Sequence, residues 1–197
     1  MISEQTTSMS LTEFVREAVR ARIVEGDQVI DATVGNGYDT LWLAQSVGAL
    51  GRVYGFDIQA SALTIADQRI TKNGVSAQVI FFNAGHESMD AFVPISAKSH
   101  ISAICFNLGY LPNGDKSLTT LPQSTLCALH KSMQYLKQGG CLSILCYPGH
   151  PEGSVELNAV RDWVKEVDSD SIDICCIRTS LAHPVNPAPI AFLVTQH

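Results

Sequence analysis

The sequence lacks the features that would place it in a membrane or a secretory pathway. No apolar run approaches the length needed to span a bilayer. The opening stretch MISEQTTSMS carries no basic segment followed by an apolar one, so no signal peptide is expected and the cytoplasm is the expected location. Cysteine occurs six times but never as C-x-x-C, and mostly in apolar segments. Neither a metal centre nor a disulfide framework is expected, and the thiols read as reduced core residues. Basic residues are scarce, 13 Lys and Arg against 19 Asp and Glu, for a formal charge of −6. That balance excludes a protein that coats nucleic acid non-specifically, because positive charge carries such binding. Docking through one local patch stays open: Arg16, Arg20 and Arg22 could form it, or could form only a solvated helix face. Repeats, low-complexity linkers and composition breaks are absent too. The 197 residues therefore read as one domain over 10–197, preceded by a frayed polar tail over 1–9.

What is present is an alternation of strand and helix patterns. LTEFVREAVRARI carries apolar residues at helical spacing. QVIDAT, GRVYGFDI, AQVIFFN, ISAICFNLGY and CLSILCY read as strands. Between them, YDTLWLAQSV, ASALTIADQRITKNG and LPQSTLCALHKSMQYLKQGG read as helices, the last expected to run to its glycine pair. VELNAVRDWVKEV is a further helix, and SIDICCIRT and IAFLVTQ are two closing strands with no helix between them. The expectation is an α/β fold with a seven-stranded, mostly parallel sheet, helices on both faces, and an antiparallel last strand. In such sheets ligands bind beyond the carboxyl ends of the strands, where the strand order reverses.

The turn after the first of these strands, DATVGNGYDT, has no lysine and so cannot be a P-loop. Gly35 and Gly37 match the first two glycines of a dinucleotide turn, but Thr40 stands where the third should be. Asp31 is more informative. A carboxylate beside the turn repels a pyrophosphate and attracts a cation, and S-adenosylmethionine carries a sulfonium and an ammonium but no phosphate. Asp57 ends the next strand, where an acid can accept bonds from ribose hydroxyls or merely cap the following helix. Asn83, Ala84, Gly85 and His86 follow the third strand and are placed to border an adenine, although His86 reads equally as a surface residue.

The pattern D-x-x-x-G-x-G, an acid after the second strand and LKQGG before the fifth resemble class I S-adenosylmethionine-dependent methyltransferases, which have a Rossmann-like fold. One departure is Thr33, where most such enzymes carry a glycine. The resemblance implies S-adenosyl-L-methionine as cofactor. It implies a cofactor site drawn from Asp31, Thr33, Gly35, Asn36, Gly37, Asp39 and Thr40 in the first turn, and Asp57, Ile58 and Gln59 in the second. Gly85 and His86, and then Asn107 and Leu108, complete it. The tetrapeptide Asn107-Leu108-Gly109-Tyr110 resembles the motif of amino-directed methyltransferases. There the Asn107 and Leu108 carbonyls would accept amine N–H groups and Tyr110 would stack on a flat base. The alternative is that Asn107 caps a turn and Tyr110 packs in the core.

DATVGNGYDT, GFDIQ, NLGYLPNGDKS, YPGHPEG and NPAP together resemble one family, first labelled as ribosomal RNA methylases. Its characterised members methylate the aminomethyl group of the wobble uridine of certain transfer RNAs, giving 5-methylaminomethyl-2-thiouridine. The resemblance implies the anticodon arm of transfer RNA as partner, a homodimer, and direct attack of the amine nitrogen on the sulfonium methyl. An alkylamine has a pKa near ~10, so a base would help, and Asp115 and His150 are the candidates. Lys116 would meet an RNA phosphate and Asn186 would wall the pocket. Val34 and Tyr38 depart from relatives beside the cofactor turn. Readings kept open are methylation of ribosomal RNA or of a small amine, an NAD-dependent oxidoreductase, and a domain that binds the cofactor only as an effector.

Overall fold

The structure is a computed structural model, which describes residues 2–111, 118–167, 170–181 and 187–197. Strands β1 (Ile2–Thr7), β2 (Gln28–Asp31), β3 (Arg52–Asp57), β4 (Val79–Asn83), β5 (Ile101–Leu108), β6 (Leu136–Cys146), β7 (Ile172–Thr179) and β8 (Ile190–Gln196) form one sheet. Their order is β1-β7-β8-β6-β5-β2-β3-β4. Neighbours are parallel except that β8 runs antiparallel between β6 and β7. The antiparallel last strand is as expected, and it lies inside the sheet. The expected α/β arrangement is thus present, with eight strands where seven were expected.

The eighth strand is the segment read as a frayed tail. Ile2–Thr7 pairs in parallel register with Ile174–Thr179. The Ser3 hydroxyl donates to the Ile174 carbonyl at 3.0 Å, and Ser180 N–H donates to the Thr7 carbonyl at 2.9 Å. An edge strand with both faces largely in water needs no apolar alternation, so its sequence looks like a tail. The glycine pair Gly139-Gly140 also departs from expectation. The helix stops at Tyr135, Leu136 already pairs with Ile101, and the glycines lie in a bulge of β6, with Gly139 at φ +75°.

Helices α1 (Leu11–Arg20) and α2 (Tyr38–Val47) cover one face of the sheet. Helices α4 (Met89–Phe92), α5 (Pro122–Tyr135) and α6 (Pro151–Val167) cover the other, and α3 (Ala60–Lys72) packs beside the first turn. The apolar run of β5 splits between them by alternation: Ile104, Phe106 and Leu108 face α5 and α6, while Ala103 and Cys105 face α1 and α2. Four cysteines are buried, Cys175 is half-buried and Cys127 is exposed. No described helix is long and apolar enough to cross a membrane.

β2 pairs with both β3 and β5. Chain connections leave β2 toward β3 and β4 on one side, and β5 and β6 lie on the other. The strand order therefore reverses between β2 and β5, where a crevice opens beyond the strand ends. Gly37 closes this region. It sits at φ +75°, and a Cβ on it would lie 2.7 Å from the Cβ of Ala66 on α3. Gly37→Ala is expected to cost about 2 kcal/mol or more through strain and the forced separation of α2 from α3. Urea unfolding of the variant checks this; a loss under about 0.5 kcal/mol would mean that α3 yields freely.

Candidate active site

Two segments meet at the reversal: the turn after β2 and the loop after β5. In the turn, Asp31 is fully buried. Its Oδ2 accepts from the Thr40 hydroxyl at 2.6 Å and its Oδ1 from Thr33 N–H at 3.2 Å. Thr40 is therefore the internal donor to this carboxylate, which explains a threonine in place of a third glycine. Burial first, then the charge of Asp39, push the Asp31 pKa from 3.8 up to about 7, with Asp57 adding to the rise and the Thr40 and Thr33 bonds opposing it. A pyrophosphate here would meet three carboxylates, whereas a cation would relieve them.

Asp57 holds the turn from the next strand. Its Oδ2 accepts from Gly35 N–H and its Oδ1 from Gln59 N–H, both at 2.8 Å. Each oxygen keeps a further lone pair for a hydroxyl. Ile58 is exposed beside it, and Asn83 donates to the carbonyls of Asp57 and Ile58 at 3.0 Å. Arg69 of α3 donates to the Asn36 carbonyl at 2.8 Å and lays its guanidinium 3.6 Å from the centre of the Tyr38 ring. Val34 packs against Leu63, Ala66 and Phe81. The two departures from relatives are thus a core residue and an outward stack. His86, which follows Gly85, is buried rather than on the surface. Its Nδ1 lies 3.2 Å from the Ala32 carbonyl, which assigns the proton to Nδ1. Its Nε2 is a buried acceptor with no partner among the described residues. Burial holds its pKa below 6.5.

The second segment is tied to the first through Thr33, whose hydroxyl accepts from Asn107 N–H at 2.7 Å. The Asn107 side chain donates through Nδ2 to Asp39 Oδ2 at 2.8 Å, and Arg16 of α1 donates to Asp39 Oδ1 at 2.6 and 2.8 Å. This series of bonds engages the amide nitrogen, so Oδ1 is the acceptor that the side chain keeps. Asp39, expected as a cofactor residue, positions Asn107 here. The Leu108 side chain is in the core, and its carbonyl accepts from Tyr147 N–H at 3.3 Å, which leaves that oxygen one further lone pair. Arg16, Arg20 and Arg22 do not form one patch, because Arg16 turns to Asp39 and Arg22 folds back onto the Ala18 carbonyl.

Beyond Leu108, Gly109 adopts φ +151° and aims the chain so that Tyr110, partly exposed, lies with its ring 5.2 Å from that of His150. His150 Nδ1 lies 3.1 Å from Gly153 N and 3.4 Å from a carboxylate oxygen of Glu152, and its Nε2 is buried with no partner among the described residues. The loop is anchored by Glu156, a buried carboxylate on α6. It accepts from the hydroxyls of Thr120 and Thr125 at 2.6 Å each, and Thr120 in turn accepts from Gly109 N–H at 2.9 Å. Burial raises its pKa. Asp115, Lys116 and Asn186 lie outside the described residues.

The arrangement can be set beside known proteins. A family profile described as "Putative rRNA methylase" matches residues 53–195. The chain belongs to this family. A tRNA (mnm(5)s(2)U34)-methyltransferase of Arabidopsis thaliana, chloroplastic, is 40% identical over 174 residues, 84% of this chain and 62% of that one. The chain thus spans less than two thirds of the length of that relative. The crystal structure of a protein given the family description, from Clostridium thermocellum, superposes with a TM-score of 0.90 at 33% identity, over 97% of this chain and 100% of that one. A protein of Streptococcus mutans in complex with SAH gives 0.84 at 28% identity over 97% and 100%.

For this rRNA methylase family member, the residues that the sequence reading missed are the supports: Arg16, Arg69, Thr120 and Glu156. Glu156 alone left a signal, being a carboxylate within the apolar stripe of α6 with Leu157, Val160 and Trp163.

Two tests follow from these networks. The folded pKa of Asp31 exceeds its unfolded value, so between about pH 4 and 7 the native state binds more protons. Stability of the unliganded protein should fall as pH rises through that window, by up to about 1.4 kcal/mol per pH unit. Urea titrations should show Asp31→Asn losing that slope; an equal slope in the variant would place its source elsewhere. Thr120→Val strips both loop bonds and should cost about 1–3 kcal/mol. Amide exchange at Gly109 and Tyr110 should accelerate, and unchanged exchange would mean another group holds the loop.

Proposed function

We propose that this chain is an S-adenosylmethionine-dependent N-methyltransferase acting on the aminomethyl group of the wobble uridine of transfer RNA, converting 5-aminomethyl-2-thiouridine to 5-methylaminomethyl-2-thiouridine. The observation that carries this reading is Asn107. Its amide is locked by Asp39 and Arg16 so that one carbonyl oxygen remains to accept an amine N–H, at the strand-order reversal and beside an acid-rich turn. The kinship with the Arabidopsis wobble-uridine enzyme supports the substrate, and the SAH complex of the Streptococcus mutans protein supports the cofactor.

The residues present fit that cofactor. The turn gathers Asp31, Asp39 and Asp57, and of these Arg16 pairs with Asp39. A cationic ligand would lower the Asp31 pKa and so gain from its ionisation. Asp57 retains acceptor capacity for ribose hydroxyls, and His86 Nε2 offers a buried acceptor to an adenine amino group. When bound, S-adenosylmethionine supplies the methyl group and a cation that disfavours protonation of a nearby amine. Asn107 holds and aims the amine, and the fixed geometry of its amide provides much of the advantage of proximity. Tyr110 supplies a face for the target base, and His150 stands next to that face. Asp115 and His150 remain the proposed candidates for the base, Lys116 a phosphate contact and Asn186 a pocket wall. The reading includes a homodimer in the cytoplasm. The family description points to ribosomal RNA as the second substrate to test.

Mass spectrometry of nucleosides from RNA incubated with the protein and S-adenosylmethionine tests this directly. One methyl should be gained on 5-aminomethyl-2-thiouridine, and Asn107→Ala should lower the rate by at least about 100-fold, the scale of a lost transition-state donor or acceptor. Cofactor binding without methylation of that nucleoside would discard the substrate and leave ribosomal RNA or a small amine.

A further inference from the structure

A second concavity lies at the same rim of the sheet, separate from the β2/β5 crevice. It has a volume of about 370 Å³ and runs between α6 and the ends of β7 and β8. Ser154, Asn158 and Arg161 face it from one stripe of α6, Arg178 and Thr179 from the end of β7, and Pro148 from the segment after β6. None of its described lining residues is acidic. In a chain of charge −6, two arginines share this cleft, and neither forms an ion pair or hydrogen bond among the described residues. Both lie close enough to the buried Cys176 thiol to offset part of the upward push that burial gives its pKa. Arg178, two residues from Cys176 on β7, and Arg161 on α6 line the same cleft. Glu4, on β1 opposite Cys176, acts on that thiol in the other sense and is not among the described lining residues.

The cleft and the candidate active site share a wall. Pro148 lines the cleft, and His150, two residues on, stacks near Tyr110, so their Cα atoms are at most about 7 Å apart. The shared segment is braced by Ser154, whose hydroxyl donates to the Pro148 carbonyl at 2.9 Å. Two guanidinium forks and the Asn158 amide line one cleft with no carboxylate among its described lining residues, and that is chemistry suited to a phosphodiester.

We infer that this cleft holds a backbone phosphate of the RNA substrate, flanking the nucleotide whose base meets Tyr110. The inference rests on the RNA reading given above. It accounts for how an acidic protein grips a polyanion: the positive charge is concentrated in one concave site instead of being spread over the surface. Phosphate contacts of this kind fix register and carry no sequence information. Base selection would remain with the Tyr110 loop.

The test is fluorescence anisotropy of a labelled anticodon stem-loop RNA across a salt series, with methyl transfer measured on the same RNA carrying 5-aminomethyl-2-thiouridine. The paired variant Arg161→Gln/Arg178→Gln should weaken binding at least about 10-fold at low salt. It should also reduce the slope of log affinity against log salt by about one per arginine. KM should rise in proportion, with kcat within about twofold. SAH binding and thermal midpoint should match the parent, reporting an intact fold. Arg20→Gln, on exposed α1, should change none of these. Unchanged affinity and slope in the paired variant, or a slope that moves only with Arg20, would overturn the cleft while leaving the methyltransferase reading intact. RNA binding that depends on Arg161 and Arg178 without methylation would do the reverse. A parent protein that binds no RNA would overturn both.

Discussion

The site is organised around a carboxylate buried without a counter-cation. Asp31 is removed from water at the end of β2, and its two oxygens are met by one hydroxyl and one main-chain N–H. Those bonds offset only part of the desolvation cost, since neighbouring carboxylates add repulsion. The surrounding features follow from accommodating it. Thr40 must be a hydroxyl donor, α2 must start where Thr40 can reach, and Gly35 and Gly37 must take left-handed backbone so that the turn folds tightly over the strand end. An unliganded protein carries this cost as lost stability, and a cationic ligand recovers it.

The loop after β5 depends on the same turn, through hydrogen bonds in series. Thr33 fixes the main chain of Asn107, Asp39 fixes its side chain, and Arg16 fixes Asp39. Each member has an alternative partner in water, so the chain holds only while α1, α2 and β5 are packed together. On the far side, Glu156 holds the loop from α6 through Thr120. Asn107 and Tyr110 are thus anchored from opposite layers of the sheet. The loop's aim reports the relative placement of both helical layers.

Much of this was legible in the sequence because it is local. The β2 turn, the acid at the end of β3, the tetrapeptide after β5 and the antiparallel closing strand each show in a few consecutive residues. What escaped detection is non-local. β1 is polar because its partner, not its side chains, makes it a strand. The LKQGG segment has helix-stop chemistry, but tertiary pairing of Leu136 with Ile101 ends the helix earlier and turns the glycines into a bulge. The relay from Glu156 through Thr120 to Gly109 N–H likewise joins residues far apart in the chain, so no local pattern announces it.

The edge strand also bears on how the chain assembles. β1 is synthesised before the other seven strands, but the strand it pairs with lies some 170 residues later, as the bond from Ser3 to Ile174 spans 171 positions. At typical rates of synthesis it waits roughly 10 to 30 seconds for β7. In the finished sheet that partner joins β6 only through β8, which lies between them. A strand that must wait unpaired is safest when it is hydrophilic, and SEQTT has little that another chain's exposed edge could bury. The same polarity that disguises β1 as a tail protects the nascent protein from premature association.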